Sequence, residues 1–266
     1  MDPWLSTIIL GIVEGLTEFL PVSSTGHLIL TGVLLGHSGD KAASYDIIIQ
    51  LGAILAVVVL YRDRFAALAF PKARQRFAGR RGLTLLFLTC LPAGLLGLFA
   101  RGMIKAHLFQ PLPVALALVA GAILIFIVES RKSARDKYHD FDDISPSLAL
   151  GIGLFQCLSL WPGFSRSAST ILGGMVLGAR RKLAAEYSFV AAVPIMIVAT
   201  SYELYKTWDL FSADDLQFLA LGFAVSFFSA WLAIKWFIGL VSRVTLRPFA
   251  IYRILLAVAV FFFWPN

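Results

Sequence analysis

Apolar runs close to the length of a bilayer crossing recur along the chain, and they constrain its fold more than any other feature. A helix needs roughly 20 apolar residues to traverse the hydrocarbon core, and such runs fall at about 44–61, 83–99, 112–128, 187–206, 216–238 and 249–264. With 59% hydrophobic residues and a mean hydropathy of +0.81, the chain reads as a polytopic α-helical membrane protein with no soluble domain. The net charge of +7 does not imply nucleic acid, because the basic residues gather in short loops between apolar runs and form no basic face with aromatic platforms. Cys90 and Cys157 lie inside apolar segments without metal-ligand spacing and read as small buried hydrophobes. The N-terminus has neither the basic region nor the small-residue cleavage site of a removable signal peptide.

Two further apolar pieces, about 5–20 and 27–36, are too short to span and are broken at Pro21. Such a pair suits a re-entrant hairpin, tolerated where it is buried in protein or lines a cavity. The break reads Glu14-Gly-Leu-Thr-Glu18-Phe-Leu-Pro21-Val-Ser23-Ser24-Thr25-Gly26-His27, and intramembrane ionisable groups of this kind are rare and usually functional. Glu14 and Glu18, four apart, project from one helix face. They either share a proton or hold a cation between them. Pro21 is expected to end the helix. Beyond it Ser23, Ser24, Thr25 and Gly26 offer hydroxyls and backbone N–H groups where a second helix restarts, the makings of an anion site.

A second constellation, Trp161-Pro162-Gly163-Phe164-Ser165-Arg166-Ser167, sets one arginine between two hydroxyls. Arginine stays charged and presents a planar fork that matches phosphate oxygens, so Arg166, Ser165 and Ser167 read as a phosphate clamp; the competing reading is a structural ion pair of Arg166 with Glu14 or Glu18. Lys235, Arg247 and Arg253 near span ends suit snorkelling. Asp46 and Glu186, at matching places in the two halves, suit pairing with helix dipoles. Gln50 and Gln156 read first as interhelical hydrogen-bond partners and second as pocket lining. His37, His107 and His139 fall in loops and receive no role.

The second half repeats the first. Leu150-Gly151-Ile152 echoes Leu10-Gly11-Ile12, Pro162 with Ser165-Arg166-Ser167 echoes Pro21 with Ser23-Ser24-Thr25, and Val176-Leu177-Gly178 echoes Leu34-Leu35-Gly36. The expected architecture is one integral membrane domain, 1–266, with repeat one at 1–129, a polar cytoplasmic connection at 130–146 and repeat two at 147–266. Each repeat holds one re-entrant broken hairpin and three spans, six spans in all. An odd number of crossings inserts the second repeat upside down, an inverted-topology repeat whose broken tips meet near the midplane. Basic residues agree: one set of loops carries Arg62, Arg64, Lys72, Arg74, Arg76, Arg80, Arg81, Arg131, Lys132, Arg135, Lys137, Arg180, Arg181, Lys182, Arg243 and Arg247, the other only Lys41, Arg101, Lys105 and Lys206. The first set is therefore expected in the cytoplasm, with both termini outside.

The motifs from Glu14 to His27 and from Pro162 to Ser167 closely resemble those of the bacterial undecaprenyl-diphosphatase, or bacitracin-resistance, family, and the resemblance covers essentially the whole chain. One departure is Ser167-Ala168-Ser169-Thr170, where the family commonly has Ser-Gly-Ala-Thr. The resemblance implies a multi-pass enzyme of the bacterial cytoplasmic membrane that hydrolyses undecaprenyl diphosphate to undecaprenyl phosphate and inorganic phosphate. That reaction recycles the lipid carrier of peptidoglycan and other cell-wall glycans and confers bacitracin resistance. The family's site opens towards the periplasm. Its functional positions fall on Glu14, Glu18, Ser24, His27 and Arg166, and the resemblance associates a divalent cation, Mg²⁺ or Ca²⁺, with the site, for which Glu14 and Glu18 are the candidate ligands. The expected partners are a polyprenyl diphosphate and membrane lipids, with no nucleic acid; a homodimer is compatible with the sequence.

Two routes stay open for the chemistry: Ser24 attacks phosphorus with His27 as its base, the route slightly favoured, or His27 activates a water. A polyprenyl-phosphate flippase or other anion transporter with the same inverted-repeat plan is the rival class. Two carboxylates beside a serine and a histidine favour the hydrolase, since an anion carrier gains nothing from acidic groups at its phosphate site.

Overall fold

The computed structural model describes residues 2–71, 75–130 and 136–264. Lys72, Arg74, Arg131, Lys132 and Arg135, counted above among the basic loop residues, lie outside them, as does the side chain of Lys105. Among the described residues the fold is helical and without strands, apart from one isolated bridge between Tyr138 and Ala179. The helices are α1 (Pro3–Thr17), α2 (Ser24–Leu35), α3 (Asp40–Leu60), α4 (Arg62–Ala69), α5 (Gly79–His107), α6 (Pro111–Ser130), α7 (Pro146–Gln156), α8 (Arg166–Val176), α9 (Arg181–Thr207), α10 (Asp215–Val241) and α11 (Arg247–Phe262).

Five of them, α3, α5, α6, α9 and α10, are long and apolar enough to cross a bilayer, as befits a multi-pass membrane protein. The sixth anticipated span differs. Helix α11 has 16 residues, about 24 Å at the α-helical rise and so short of a hydrocarbon core of about 30 Å. Arg101 also departs from expectation: α5 continues to His107 and carries it inside a helix, where its exposed side chain meets Glu203 of α9 at 2.7 Å.

The first helix of each broken pair packs against the opposite half of the chain: α1 lies along α10, and α7 along α5. Gly15 permits the former, since a Cβ there would meet Ser226 and Ala230 of α10. Helix α3 packs on α9 and α10, α6 on α11, and α8 against α7, α9 and α6. Through the middle runs a chain of rings, Phe19 to Phe189 at 5.2 Å, Phe189 to Phe237 at 6.0 Å and Phe237 to Phe249 at 5.5 Å. All four are buried, so the turn after α1 is fixed to α9, α10 and α11 by aromatic packing.

Contacts among loops and helix ends sort these segments into two ends. At one end Arg64 meets Asp140 at 3.6 Å, the Phe77 N–H donates to Asp142, Arg81 donates to the Ile144 carbonyl, and the Lys137 N–H donates to the Gly178 carbonyl. Asp143 accepts from the N–H groups of His139 and Asp140, which hold its carboxyl below the usual carboxylate range. At the other end Lys41 meets Asp215 at 2.7 Å and Arg101 meets Glu203. The first end gathers the described residues of the more basic loops.

Glu129, at the same end, is buried and takes hydrogen bonds from Arg181 at 2.7 Å and from the Leu246 N–H at 2.8 Å. Arg181→Ala strands that carboxylate with one backbone donor. The expected cost is about 2–3 kcal/mol, below the figure for a wholly buried pair because Arg181 is partly solvated. Thermal unfolding of the detergent-purified protein reads it, and an unshifted midpoint would show that the pair adds nothing.

Candidate active site

The two breaks are built alike. Helix α1 stops at Thr17, four residues ahead of Pro21, the residue expected to end it. Glu18 keeps helical angles, and its N–H donates to the Glu14 carbonyl at 2.9 Å. A turn through Leu20 to Val22 leads to Ser23, whose φ is +71° and whose Oγ accepts from the Gly26 N–H at the start of α2. In the second half a 3-10 turn, Cys157–Leu160, follows α7. Gly163 then takes φ +96°, in a place where a Cβ would sit 2.6 Å from the Val114 carbonyl oxygen. Ser165 takes φ +76°, and its Oγ accepts from the Ala168 N–H at 3.2 Å. Ser167-Ala168-Ser169-Thr170 therefore restarts the helix with its cap in place. Ser23 and Ser165 are the two non-glycine residues with positive φ among those described. Such strain costs about 1–3 kcal/mol per residue and clusters at functional sites.

The tips touch. Ser167 Oγ donates to the Leu20 carbonyl at 2.7 Å, and Arg166 Nη2 donates to Glu18 Oε1 at 2.8 Å. Ser24 Oγ donates to the other oxygen, Glu18 Oε2, at 2.6 Å. Arg166 is steadied further by the Ser188 carbonyl at 3.2 Å and by the Phe19 ring, 5.4 Å from its guanidinium carbon. Thr170 binds both Ser188 Oγ and the Arg166 carbonyl. A cavity of about 200 Å³ opens over this cluster, lined by Glu18, Ser23, Ser24 and Thr25 from the first break and Gly163, Ser165 and Arg166 from the second. The N–H groups of the first turns of α2 and α8 lack intrahelical partners. Ser23 and Ser165 satisfy one in each helix, leaving the cavity-lining Ser24, Thr25 and Arg166 with N–H donors for an anion.

Other sequence candidates stand elsewhere. His27 does not pair with Ser24: its Nδ1 lies 2.7 Å from the Ser23 carbonyl and its Nε2 2.7 Å from the Tyr252 hydroxyl of α11, with the two rings stacked. The anticipated serine and histidine couple is thus replaced by one of Ser24 with Glu18, because α11 supplies His27 with a partner of its own in Tyr252. Gly26 and Ser167 are buried and do not line the cavity. Glu14 is wholly buried beneath it.

Gln50 lines the cavity, contrary to its first reading as an interhelical partner, whereas Gln156 does bond between helices, to the Thr89 carbonyl at 3.1 Å. Ser159 and Met196 also line it. Nothing in the sequence marks Met196, while Ser159 is a polar residue just ahead of the second break. Thr25 and Gln50 are shared with a larger, mostly apolar cavity of about 440 Å³ between α2 and α3, reaching Phe109 and Trp264. At its rim His37 pairs with Asp46 at 3.3 Å, so the loop histidine given no role meets the aspartate assigned to a helix dipole.

Glu14 bears on a cation. Both its carboxylate oxygens are buried without a hydrogen-bond partner among the described residues, and Glu18 and Asp46 act on it with like charge. An orphaned carboxylate behind a second one fits a hard cation, which takes oxygen ligands and often only one or two carboxylates plus substrate oxygens. No cluster of three or more potential ligand residues exists among the described residues, so water and substrate would complete such a shell.

Comparison with known proteins agrees along the whole length. The family model for bacitracin resistance protein BacA matches residues 7–259. The chain is 66% identical over 266 residues to an undecaprenyl-diphosphatase of Solidesulfovibrio magneticus, covering 100% of both chains. It is 63% identical over 264 residues to the one from Maridesulfovibrio salexigens, covering 99% of this chain and 100% of the relative. An undecaprenyl-diphosphatase 1 of Bacillus thuringiensis is 47% identical over 97% of each chain.

Proposed function

We infer that the chain, which belongs to the bacitracin resistance protein BacA family, is a membrane-embedded hydrolase that converts undecaprenyl diphosphate to undecaprenyl phosphate and inorganic phosphate. The observation that carries the site assignment is the cluster of Ser24, Glu18 and Arg166 under two helix starts. A diphosphate group brings several negative charges, and its cleavage is accelerated mainly by positioning and charge neutralisation. Arg166 and the first-turn N–H groups of α2 and α8 meet the terminal phosphoryl oxygens. Ser24, donating to Glu18 at 2.6 Å, is poised to pass its proton to that carboxylate as its oxygen attacks the terminal phosphorus and the bond to the bridging oxygen breaks. Undecaprenyl phosphate departs with that proton, and Glu18 then takes one from the water that hydrolyses the phosphoserine, which frees inorganic phosphate and restores the Ser24 hydroxyl; in the one-step route Glu18 takes the proton of a water that attacks the terminal phosphorus directly. Glu18 is thus the base within reach, and His27 steadies the restart of α2 through Tyr252. Glu14 and Glu18 are the residues that would hold Mg²⁺ or Ca²⁺, which when bound neutralises charge on the phosphate oxygens. The isoprene units next to the diphosphate suit the apolar cavity between α2 and α3, whose lining shares Thr25 and Gln50 with the phosphate cavity, and the rest of the polyprenyl tail lies in lipid.

The finer architecture belongs to the same proposal: one domain of two repeats, 1–129 and 147–266, inverted about an axis in the membrane plane. Reciprocal packing of α1 on α10 and α7 on α5, pairing of α6 with α11 and α3 with α9, and the matched strain of Ser23 and Ser165 support it. The basic loops then face the cytoplasm of the bacterial inner membrane, and the larger cavity, which lies beside Gly39 and Phe109, opens towards the periplasm. The same plan suits a lipid flippase.

Phosphate release from a C55 diphosphate by detergent-purified protein, after chelation and on adding back Mg²⁺ or Ca²⁺, tests the reading. Release is expected with metal and is expected to fall at least about a hundredfold without it. Protein that binds the lipid but frees no phosphate under any metal would overturn the hydrolase in favour of a carrier.

A further inference from the structure

We propose that Arg253 of α11 is the positioning residue that holds both broken tips in their strained, anion-receiving form. The sequence suggested a side chain snorkelling at a span end. Instead Arg253 has 0% of its surface exposed, and its guanidinium faces five carbonyl oxygens. Nε donates to Leu118 at 3.1 Å, Nη1 to Pro21 at 3.1 Å, and Nη2 to Ala117 at 3.3 Å, Gly163 at 3.2 Å and Phe164 at 2.9 Å. Among the described residues no carboxylate pairs with it. A charge buried in a membrane protein without a counter-ion is expensive and is kept where it serves a function. Helix α6 is shaped to admit it: a Cβ on Gly121 would run into the guanidinium.

The acceptors show what the charge does. Pro21 belongs to the first tip, Gly163 and Phe164 to the second, and Ala117 and Leu118 to α6, which serves as the anchor. Arg253 lies outside the cavity lining and draws these carbonyls away from it. In a trans peptide the C=O and the following N–H point in opposite directions, and no cis bond occurs among the described residues. The Phe164 carbonyl on Arg253 therefore turns the Ser165 N–H to the other side. Gly163 and Ser165, which flank Phe164, are the positive-φ positions of the second tip, and Ser165 is the strained one. Held this way, α8 starts with Arg166 over Glu18, and α2 starts with Ser24 on the same carboxylate. One side chain thus registers two segments that lie 232 and 89 residues from it in sequence.

The inference rests on the diphosphatase reading for its kinetic readout. The test compares Arg253→Lys, Arg253→Met and Gly121→Ala with the wild type, in detergent, by thermal unfolding, by kcat and KM for phosphate release, and by the affinity for a methylene-bridged polyprenyl diphosphate that cannot be cleaved. A lysine has too few donors to hold both tips, and misplacement of a site by about 1 Å costs about a hundredfold. Arg253→Met is therefore expected to lose about a hundredfold or more in kcat, and Arg253→Lys and Gly121→Ala about tenfold, with affinity for the uncleavable analogue at least tenfold weaker in all three. If Arg253→Met does not fold, Gly121→Ala gives the same reading, because its added methyl displaces the guanidinium and keeps the charge. Folded Arg253→Lys and Gly121→Ala with kcat within threefold of wild type would overturn the proposal. Should the wild type itself release no phosphate, the diphosphatase reading fails on its own, and the analogue decides: affinity at least tenfold weaker in the variants upholds the positioning role, and unchanged affinity overturns it.

Discussion

Alanine in place of Arg166 is expected to lower phosphate release by about a thousandfold or more, the scale on which an arginine that neutralises transition-state charge contributes to phosphoryl transfer. Its fork is aimed by contacts from three directions: Glu18 at 2.8 Å, the Ser188 carbonyl at 3.2 Å and the face of Phe19. Among the described residues it is also the one cation lining the cavity. Arg166→Lys keeps the charge and loses the planar fork, so an intermediate loss of about ten- to a hundredfold is expected. Steady-state phosphate release reads both, with unfolding midpoints showing that the protein remains folded. If Arg166→Ala stays within tenfold of wild type, Arg166 serves only as a structural ion pair.

Glu18→Gln is expected to cost about a hundred- to a thousandfold, the range in which a positioned proton acceptor contributes. Glu18 accepts on both oxygens, from Ser24 at 2.6 Å and Arg166 at 2.8 Å. A glutamine presents one acceptor and one donor, so it keeps one of these bonds and opposes the other. Glu18 and Arg166 work as one unit, and the double variant Glu18→Gln, Arg166→Ala should be little worse than Arg166→Ala alone, as for other catalytic groups that act together. Losses that multiply in the double variant would show instead that the two residues act separately.

By itself the sequence determined the helical membrane class, the places of both breaks and the residue types gathered there. These depend on local physics: apolar runs of bilayer length, a proline that a helix resists, and Ser23 and Ser165 standing ready to cap the helices that follow. The i,i+4 relation of Glu14 and Glu18 was legible for the same reason, since helix geometry alone fixes it. Local geometry also hid something, because three-residue spacing made His27 the natural partner of Ser24.

Only the tertiary structure decided which groups meet. Glu18 finds Arg166 across 148 positions and His27 finds Tyr252 across 225, which releases Ser24 to Glu18. Glu14 sinks below the cavity while Gln50 reaches it, and Arg253 is buried instead of snorkelling. Each outcome depends on which helix lies against which, and in a chain apolar on almost every face the hydrophobic pattern of one helix does not name its neighbour. The close approach at Gly15, the space left by Gly121 and the carbonyls freed at two broken tips name it, and they act only once the helices are packed.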